Sequence, residues 1–258
     1  HNEGQIKFLS ELSATRVNLS RELNLDELRT LTRVGHENNI LSEVFVHGSN
    51  CLSFSGICYI SSVLEGKSAN RGRCNQSCRE QYVTTPEGKD FPLNLKDNSA
   101  FNDLKALSDA GVDSVKIEGR MKNFHYVYTV VNAWRNLLDN FYSHNQVSGD
   151  DAVLYQVFNR DFTNAFLMDN LNKDLFIDNP RDNSALYFHE ANRRSADTDI
   201  RLTKTELHDI RTGIINKAQA KIALLDVGKT PLKIGVSGEF GEALKVSITS
   251  ADISITPF

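Results

Sequence analysis

The sequence predicts an α/β fold: the C-terminal part of a (β/α)8 TIM-like barrel, followed by a small α+β appendix. In the first 145 residues, short β-branched runs alternate with helices of amphipathic spacing, which is typical of parallel β/α units. After residue 195, one long helical pattern precedes alternating apolar and polar residues that suit antiparallel strands. The two patterns therefore predict a barrel segment and a separate appendix.

Residues 1–145 are predicted to hold the later β/α units of the barrel. A short strand within 14–23 precedes a helix that starts at Asn24, a residue that caps helix N-termini. The remaining elements are a strand over 40–46, a helix over 99–109, a strand over 113–119 and a helix over 123–141. Three or four such units do not close an eight-stranded barrel, so we expect its start to be supplied from outside these residues.

Two further segments complete the predicted organisation. Residues 146–195 form a connection that contains the motif FNRDF at 158–162, and their part over 179–194 is polar and loop-like. Residues 196–258 form the small α+β domain, with a helix over 203–225 and a hairpin that turns at 238–241. The sequence ends within a strand pattern, as a truncated domain would.

Composition and charge limit the classes of function. Of 258 residues, 40% are hydrophobic and 24% charged, as in globular proteins that bury a core. The sequence has no apolar run long enough to span a membrane and no basic leader before an apolar segment, so we expect a cytoplasmic protein without membrane contact. A net charge of −4 argues against a surface that coats nucleic acid generally, so any polyanion contact must be local.

All four cysteines lie in the segment that follows the strand at 40–46. Cys51, Cys58, Cys74 and Cys78 are separated by six, fifteen and three residues, in a stretch rich in Gly, Ser and Asn. In a reducing compartment, clustered cysteines more often bind a metal than form disulfides. The spacing therefore predicts one shared metal centre, with paired disulfides or unrelated buried thiols as the alternatives.

Polar residues at the predicted carboxyl ends of the strands are candidates for substrate handling, because active sites of parallel β/α folds lie at that edge. These candidates are Ser20, Arg21, Glu22, His47, Glu118 and Arg120. Each role has a structural alternative, since Glu118 and Arg120 could form an ion pair and His47 could be a hydrogen-bonded core residue. Basic residues also flank the cysteines and surround the strand at 113–119, where they could neutralise phosphates or remain solvated. They include Lys67, Arg71, Arg73, Arg79, Lys116 and Lys122.

Several stretches carry a resemblance to a known family. They are EVFVHGSNC over 43–51, SGICYIS over 55–61, NRGRC over 70–74 with Cys78 after it, KIEGRMK over 116–122, and FNRDF. With them, the chain from about residue 10 to residue 165 resembles the collagenase-like peptidases, family thirty-two of the peptidases of unknown catalytic type. Asn50 departs from the family pattern, which prefers an aliphatic residue before the first cysteine.

Despite its name, that family includes RNA hydroxylases: one branch makes 5-hydroxycytidine in large-subunit ribosomal RNA, and another acts on transfer RNA uridine. The resemblance implies a 4Fe-4S cluster on the four cysteines, since such a cluster normally takes four thiolates; a zinc ion is the alternative. It also implies ribosomal RNA as partner and a small-molecule oxygen donor such as prephenate. The tail from about residue 196 resembles the extra domain of the ribosomal RNA branch.

These features together predict an RNA hydroxylase. The predicted catalytic residues are His47, Glu118 and Arg120. The predicted substrate-binding residues are Arg21, Glu22, Arg71, Arg73, Arg79 and Lys122. Phe54 or Tyr82 could stack a base.

Two other functions remain open. A peptidase would need a base beside its thiol, and His47 with Cys51 is the only close pair in the sequence. A cysteine that holds iron cannot also attack a carbonyl, however, and the HExxH motif of metallopeptidases is missing. The other alternative is a non-enzymatic RNA-binding subunit in which the metal centre is a structural staple.

Overall fold

The computed structural model describes residues 1–55, 57–119, 121–144, 147, 149–191, 200–225, 232–238, 245–249 and 254–255. Over these residues the protein has a mixed α/β structure with a partly parallel sheet and helices. The chain divides into two compact units, His1–Asn216 and Lys217–Phe258. The predicted division at residues 145 and 195 stays a prediction.

The sheet of the first unit is built around β2 (Leu41–Gly48). Its other strands are β1 (Arg16–Asn18), β3 (Asp97–Ser99), β4 (Ser114–Ile117) and β5 (Phe162–Thr163). β2 runs parallel to β1 and β4 but antiparallel to β3, which in turn pairs in parallel with β5. The prediction of purely parallel units was therefore wrong at β3. The chain returns there antiparallel to β2 after the cysteine segment (residues 51–78), whose described α-helix has only seven residues. A parallel return needs a longer crossover, usually a helix that spans the sheet.

The helices of the first unit include most of those predicted. They are α1 (Glu3–Glu11), α2 (Leu25–Glu37), α3 (Tyr59–Glu65), α4 (Leu104–Asp109), α5 (Phe124–His144) and α6 (Ser184–Ala191); a seventh, α7, spans Ile200–Ala223. The predicted start of α2 is confirmed by a capping box: the Asn24 side chain accepts from the backbone N–H groups of Asp26 and Glu27, and the Glu27 carboxylate accepts from that of Asn24. The helices predicted over 99–109, 123–141 and 203–225 are confirmed as α4 with a preceding 3-10 turn, α5 and α7.

The prediction of a polar loop over 179–194 was wrong, because α6 lies within it. The Asp182 carboxylate accepts hydrogen bonds from the backbone N–H of Ser184, at 3.0 Å, and from its hydroxyl, at 2.5 Å. Polar residues that suggest a loop from sequence therefore lead into the first turn of a helix.

The strands of the first unit form an open sheet, and the described residues close no barrel. The (β/α)8 barrel therefore stays a prediction. The larger of two described hydrophobic clusters joins β2 to the helices on its face, with Phe101 meeting Trp134 edge-to-face at 5.3 Å between ring centroids. Its members include Leu28 and Leu31 of α2, Val44 and Val46 of β2, and Val130 and Trp134 of α5.

The second unit holds an antiparallel sheet of β6 (Lys233–Ser237), β7 (Lys245–Thr249) and β8 (Ser254–Ile255). The pairing of Val236 with Val246 agrees with the predicted hairpin, whose turn beyond residue 238 lies outside the described residues. Within the part of the chain that the structure describes, no helix has the length and apolar character needed to cross a bilayer.

Candidate functional site

A cavity of about 560 Å³ lies where β2 and β4 end and the cysteine segment begins. Its volume is within the usual range for small-molecule sites, roughly 300–1,000 Å³. Its wall contains all four cysteines together with Arg21, His47, Arg79, Glu118, Lys122 and Arg160. The structure thus gathers the cysteines and several of the sequence-predicted site residues around one space.

Arg21 and Glu22 attach the start of the cysteine segment to the loop after β1. The two side chains form an ion pair at 3.1 Å. The Arg21 guanidinium donates to the carbonyl of Cys51 at 3.0 Å and also to that of Ser53. The Glu22 carboxylate accepts from the backbone N–H of Ser55 at 2.8 Å. These contacts give the pair a positioning role towards Cys51, and their predicted contact with substrate stays a prediction.

Arg79 attaches the end of the same segment. Its guanidinium donates to the carbonyls of Asn50, at 2.7 Å, and Leu95, at 2.5 Å, and to the side chain of Asn94. Burial lowers the pKa of Arg79, and the charge of Arg160 lowers it further. Arg71 and Arg73, by contrast, are exposed and are not among the described residues that line the cavity. The three arginines therefore occupy different environments.

The four cysteines are free thiols. Hydroxyl groups of Ser53 and Ser61 lower the pKa of Cys58, which favours its thiolate. Burial raises the pKa of Cys78, and the charges of Cys51 and Cys74 add to this effect, so both of these residues lie near Cys78. Among the described residues, no three Cys, His, Asp or Glu side chains are grouped as ligands of one ion.

The donor set fits an iron–sulfur cluster in kind, because four cysteines line one cavity and a 4Fe-4S cluster normally takes four thiolates. A single zinc ion would draw its ligands to about 2.3 Å from one centre. A cluster distributes its thiolates over four irons, so they would surround a larger centre than a single zinc ion.

His47 is buried in the wall of the cavity. The register between β2 and β4 shifts between Phe45 and His47, and such an irregularity re-aims side chains near strand ends. The ring is 1% exposed and lies 5.1 Å from that of Phe162, and within the described structure neither ring nitrogen has a hydrogen-bond partner. Burial, with the nearby charge of Lys122, lowers its pKa to about 3. His47 is therefore a neutral imidazole and a weak base, unlike a satisfied core histidine.

Lys122 places a cation inside the cavity. Its Nζ lies 3.4 Å from the ring centroid of Phe158 and 5.4 Å from that of Tyr126. Burial lowers its pKa to about 8, and the charges of Arg160 and Arg79 act in the same direction. No ion pair to this amine is found among the described residues. An anionic ligand would supply one.

Arg160 and Asp97 form a buried ion pair that sequence reasoning missed. The Arg160 Nε donates to Asp97 Oδ1 at 3.1 Å, and its Nη2 donates to Ser49 Oγ at 2.6 Å. The pair links β3 to the motif FNRDF, whose Phe158 also lies against Lys122. The motif was the available signal, but its partner Asp97 is 63 residues away along the chain.

The other predicted residues lie at the edge of the site or beyond it. The backbone N–H of Glu118 donates to the carbonyl of His47 at 2.8 Å, while its exposed side chain lines the cavity. Ser20 and Glu22 do not belong to the described cavity lining. Arg120 lies outside the described residues. The proposed ion pair between Glu118 and Arg120 therefore stays a prediction.

Residues 1–176 match the model of peptidase family U32. The matched region contains the sheet, the cysteine segment and every described residue of the cavity. The chain belongs to peptidase family U32. The family therefore accounts for the first of the two compact units, apart from its last helices.

Curated relatives of this U32 chain carry several names. It is 42% identical over 139 residues to a 23S rRNA 5-hydroxycytidine synthase of Escherichia coli, an alignment that covers 52% of this chain and 21% of that protein. It is 32% identical over 187 residues to a collagenase of Porphyromonas gingivalis, covering 65% and 45%. It is 34% identical over 148 residues to tRNA hydroxylation protein P1 of Bacillus subtilis, covering 53% and 34%.

The alignments thus span between about a fifth and somewhat under a half of these relatives' lengths. No solved structure matches the chain significantly.

Proposed function

We propose that this chain is part of an RNA hydroxylase that converts a cytidine of large-subunit ribosomal RNA to 5-hydroxycytidine. The observation that carries the proposal is the cavity that brings four cysteines together with Arg79, Lys122 and Arg160. A cavity with redox-capable ligands and positive charge suits oxidation of an anionic substrate. The 42% identity to the Escherichia coli synthase favours ribosomal RNA within that class.

The four cysteines would hold the 4Fe-4S cluster in this proposal, and zinc is the alternative. When bound, such a cluster supplies one-electron redox chemistry. The protein's own contribution is positional: Arg21 holds the start of the cysteine segment and Arg79 its end. The buried, neutral His47 adds no charge to the cavity wall.

The remaining residues are assigned to the substrates. Exposed Arg71 and Arg73 would contact phosphates beside the cavity, as lysine and arginine commonly do in RNA complexes. Lys122, a cation inside the cavity, would face an anionic group of the nucleotide or the carboxylate of a small oxygen donor such as prephenate. Arg21 is less available for such a clamp, because its guanidinium already donates to the cysteine segment.

The names of the relatives support two further candidates. Hydroxylation of transfer RNA would use the same cavity, and the Bacillus subtilis relative favours it. A peptidase is favoured by the name of the Porphyromonas gingivalis relative, but a histidine with a pKa of about 3 is a poor base for activating Cys51. A non-enzymatic subunit would bind RNA with a redox-inert metal centre.

The test combines spectroscopy with RNA mapping. The protein is purified without oxygen, and its iron, sulfide and absorbance are followed through reduction and reoxidation. We expect a brown protein that bleaches reversibly; a colourless protein that contains zinc would contradict the cluster. Ribosomal RNA from a strain that lacks the gene is then mapped by mass. Unchanged 5-hydroxycytidine there would contradict the assignment to ribosomal RNA, and loss of a transfer RNA modification would support the second candidate.

Alanine substitutions at the cysteines test the ligand set separately. Replacing Cys51, Cys58, Cys74 or Cys78 singly should remove most of the iron, because each thiolate occupies one iron of the cluster. The four losses should be similar. Full iron content in the Cys58→Ala variant would show that this thiol is not a ligand.

A further inference from the structure

Three large apolar side chains stand exposed in the wall of the cavity. Phe54 is 78% exposed, Ile57 53% and Met121 83%, and all three line the same space as the cysteines. We call these three residues the apolar rim. Large apolar groups that are exposed together beside a cavity are typical of surfaces that a ligand covers.

The charge around the apolar rim indicates what kind of ligand covers it. Lys122 lines the cavity without an ion pair among the described residues, and Arg71 and Arg73 are exposed on the same segment as Phe54. A ligand that matches both features has a flat apolar face and a chain of negative charges. Single-stranded RNA has this combination, and aromatic side chains beside basic residues are its usual binding surface.

The position of the cysteines inside the cavity adds a geometric requirement. If chemistry takes place beside the cysteines, a base within an RNA helix cannot reach it while it remains stacked on its neighbours. Enzymes that modify bases solve this problem by extruding the target base into a pocket, at the cost of unstacking it from its neighbours. New stacking contacts on the protein offset that cost.

We propose that the apolar rim is a stacking site for one extruded RNA base, with the aromatic face of Phe54 as its main surface. Met121 covers the base as a polarizable thioether, and Ile57 supports the contact. The inference rests on the proposed RNA substrate and adds the mode of binding: one unstacked base enters the cavity, and the phosphates stay outside with Arg71 and Arg73.

The experiment compares two oligonucleotides that differ in one base. Both are single-stranded RNA with a terminal dye; one carries a central 2-aminopurine, and the other carries an abasic site at that position. Affinities for the full chain, purified without oxygen, are measured by fluorescence anisotropy. We expect the 2-aminopurine strand to bind about 5- to 150-fold more tightly, the range that base stacking on an aromatic side chain provides. The fluorescence of 2-aminopurine should also fall on binding.

Variants identify the stacking surface. Phe54→Ala should bring the affinity ratio close to one by weakening only the 2-aminopurine strand, and Phe54→Trp should keep or increase it. Met121→Ala should lower the ratio by a smaller factor. Tyr142→Ala is the matched control, because Tyr142 is an aromatic residue with 77% exposure that is not in the described cavity lining, and its ratio should equal that of the wild type.

The contrary outcomes separate this inference from the proposed function. A wild-type protein that binds both strands equally would overturn the stacking site while leaving RNA as substrate. If the affinity ratio of the two strands is unchanged in Phe54→Ala, the base does not stack on Phe54, and the stacking site is also overturned. That result is expected if the apolar rim binds a protein instead. Failure of the wild type to bind either strand at low salt would overturn both proposals.

Discussion

At the scale of single residues, arginines that look alike in the sequence have different physical roles. Arg79 donates hydrogen bonds to the carbonyls of Asn50 and Leu95, whereas Arg73 is exposed. We expect Arg79→Ala to lower the free energy of unfolding by about 2–4 kcal/mol, since it leaves partly buried acceptors without a charged donor. Arg73→Ala is the control and should change it by no more than about 0.5 kcal/mol. Urea unfolding measures both, and equal small effects would contradict the anchoring role.

Lys122 gives a prediction about pH. Its pKa is about 8 in the folded protein, against an ordinary 10.5. Between these values the unfolded chain keeps a proton that the folded chain has lost, so the contribution of Lys122 to stability rises with pH across this window. Below pH 8 the amine is protonated in both states, so the folded protein bears the full free-energy cost of burying the cation.

We therefore expect Lys122→Met to be more stable than the wild type at pH 7 by about 1–3 kcal/mol, a figure reduced for the partial exposure of the amine. The advantage should shrink as pH approaches 10.5, because the wild-type lysine is then neutral as well. The measurement is urea unfolding of both proteins at pH 7, 9 and 10.5. An advantage that stays constant with pH would mean that the gain comes from packing.

At the scale of elements, the end of β2 depends on a glycine. Gly48 has a φ of +122°, and a Cβ there would lie 2.6 Å from the backbone oxygen of Glu118. Gly66 also has a positive φ, of +61°, but a Cβ there would have no described atom within 4 Å. The substitution Gly66→Ala therefore tests backbone strain alone. The substitution Gly48→Ala adds a steric clash with the backbone that follows β4.

Gly66→Ala should therefore cost about 1 kcal/mol of stability, and Gly48→Ala about 3 kcal/mol or more. Because β2 carries His47 and leads into the cysteine segment, Gly48→Ala should also lower the bound iron. Thermal unfolding and iron content on the same samples test both effects. Equal costs at the two glycines would show that no close approach exists between β2 and the end of β4.

An element could be predicted from sequence when the residues that stabilise it lie within the element itself. Helices α2 and α5 could be predicted because capping and apolar spacing lie within their own sequence. Helix α3 could not, since its seven residues include serines and its N-cap makes no side-chain hydrogen bond. The antiparallel direction of β3 could not be predicted either, because β3 pairs with only two residues of β2, which are far away in sequence. Local signals identify long helices, and tertiary contacts decide the short elements.

At the scale of the whole molecule, the site could be predicted only in its contiguous part. The four cysteines lie in one short segment, so their grouping could be predicted from their spacing in the sequence. In the structure all four line one cavity. The ion pair of Asp97 with Arg160 joins residues distant in the chain, and the anchoring of Arg79 depends on carbonyls that no side-chain pattern reveals. The sequence thus indicates the candidate ligands better than it indicates the residues that hold those ligands in place.

The net charge of −4 gives a last prediction, about binding of RNA by the whole chain. A protein that is negative overall can hold RNA only through local positive groups, so the salt dependence of binding should arise from few phosphate contacts. Changing Arg71 and Arg73 to Gln should lower the slope of log affinity against log salt by about 1.4 for single strands, because each neutralised phosphate contributes about 0.7 to that slope.

Arg79 is left unchanged in that variant because its guanidinium holds the cysteine segment. The matched control changes Arg29 and Arg33 to Gln, which alters net charge equally but on α2, where they pair with Asp26 and Glu37. We expect the control to keep the wild-type slope, and both variants to keep their iron. A slope that falls equally in both would show that RNA responds only to total charge. A slope unchanged in both would remove Arg71 and Arg73 from the RNA-binding surface.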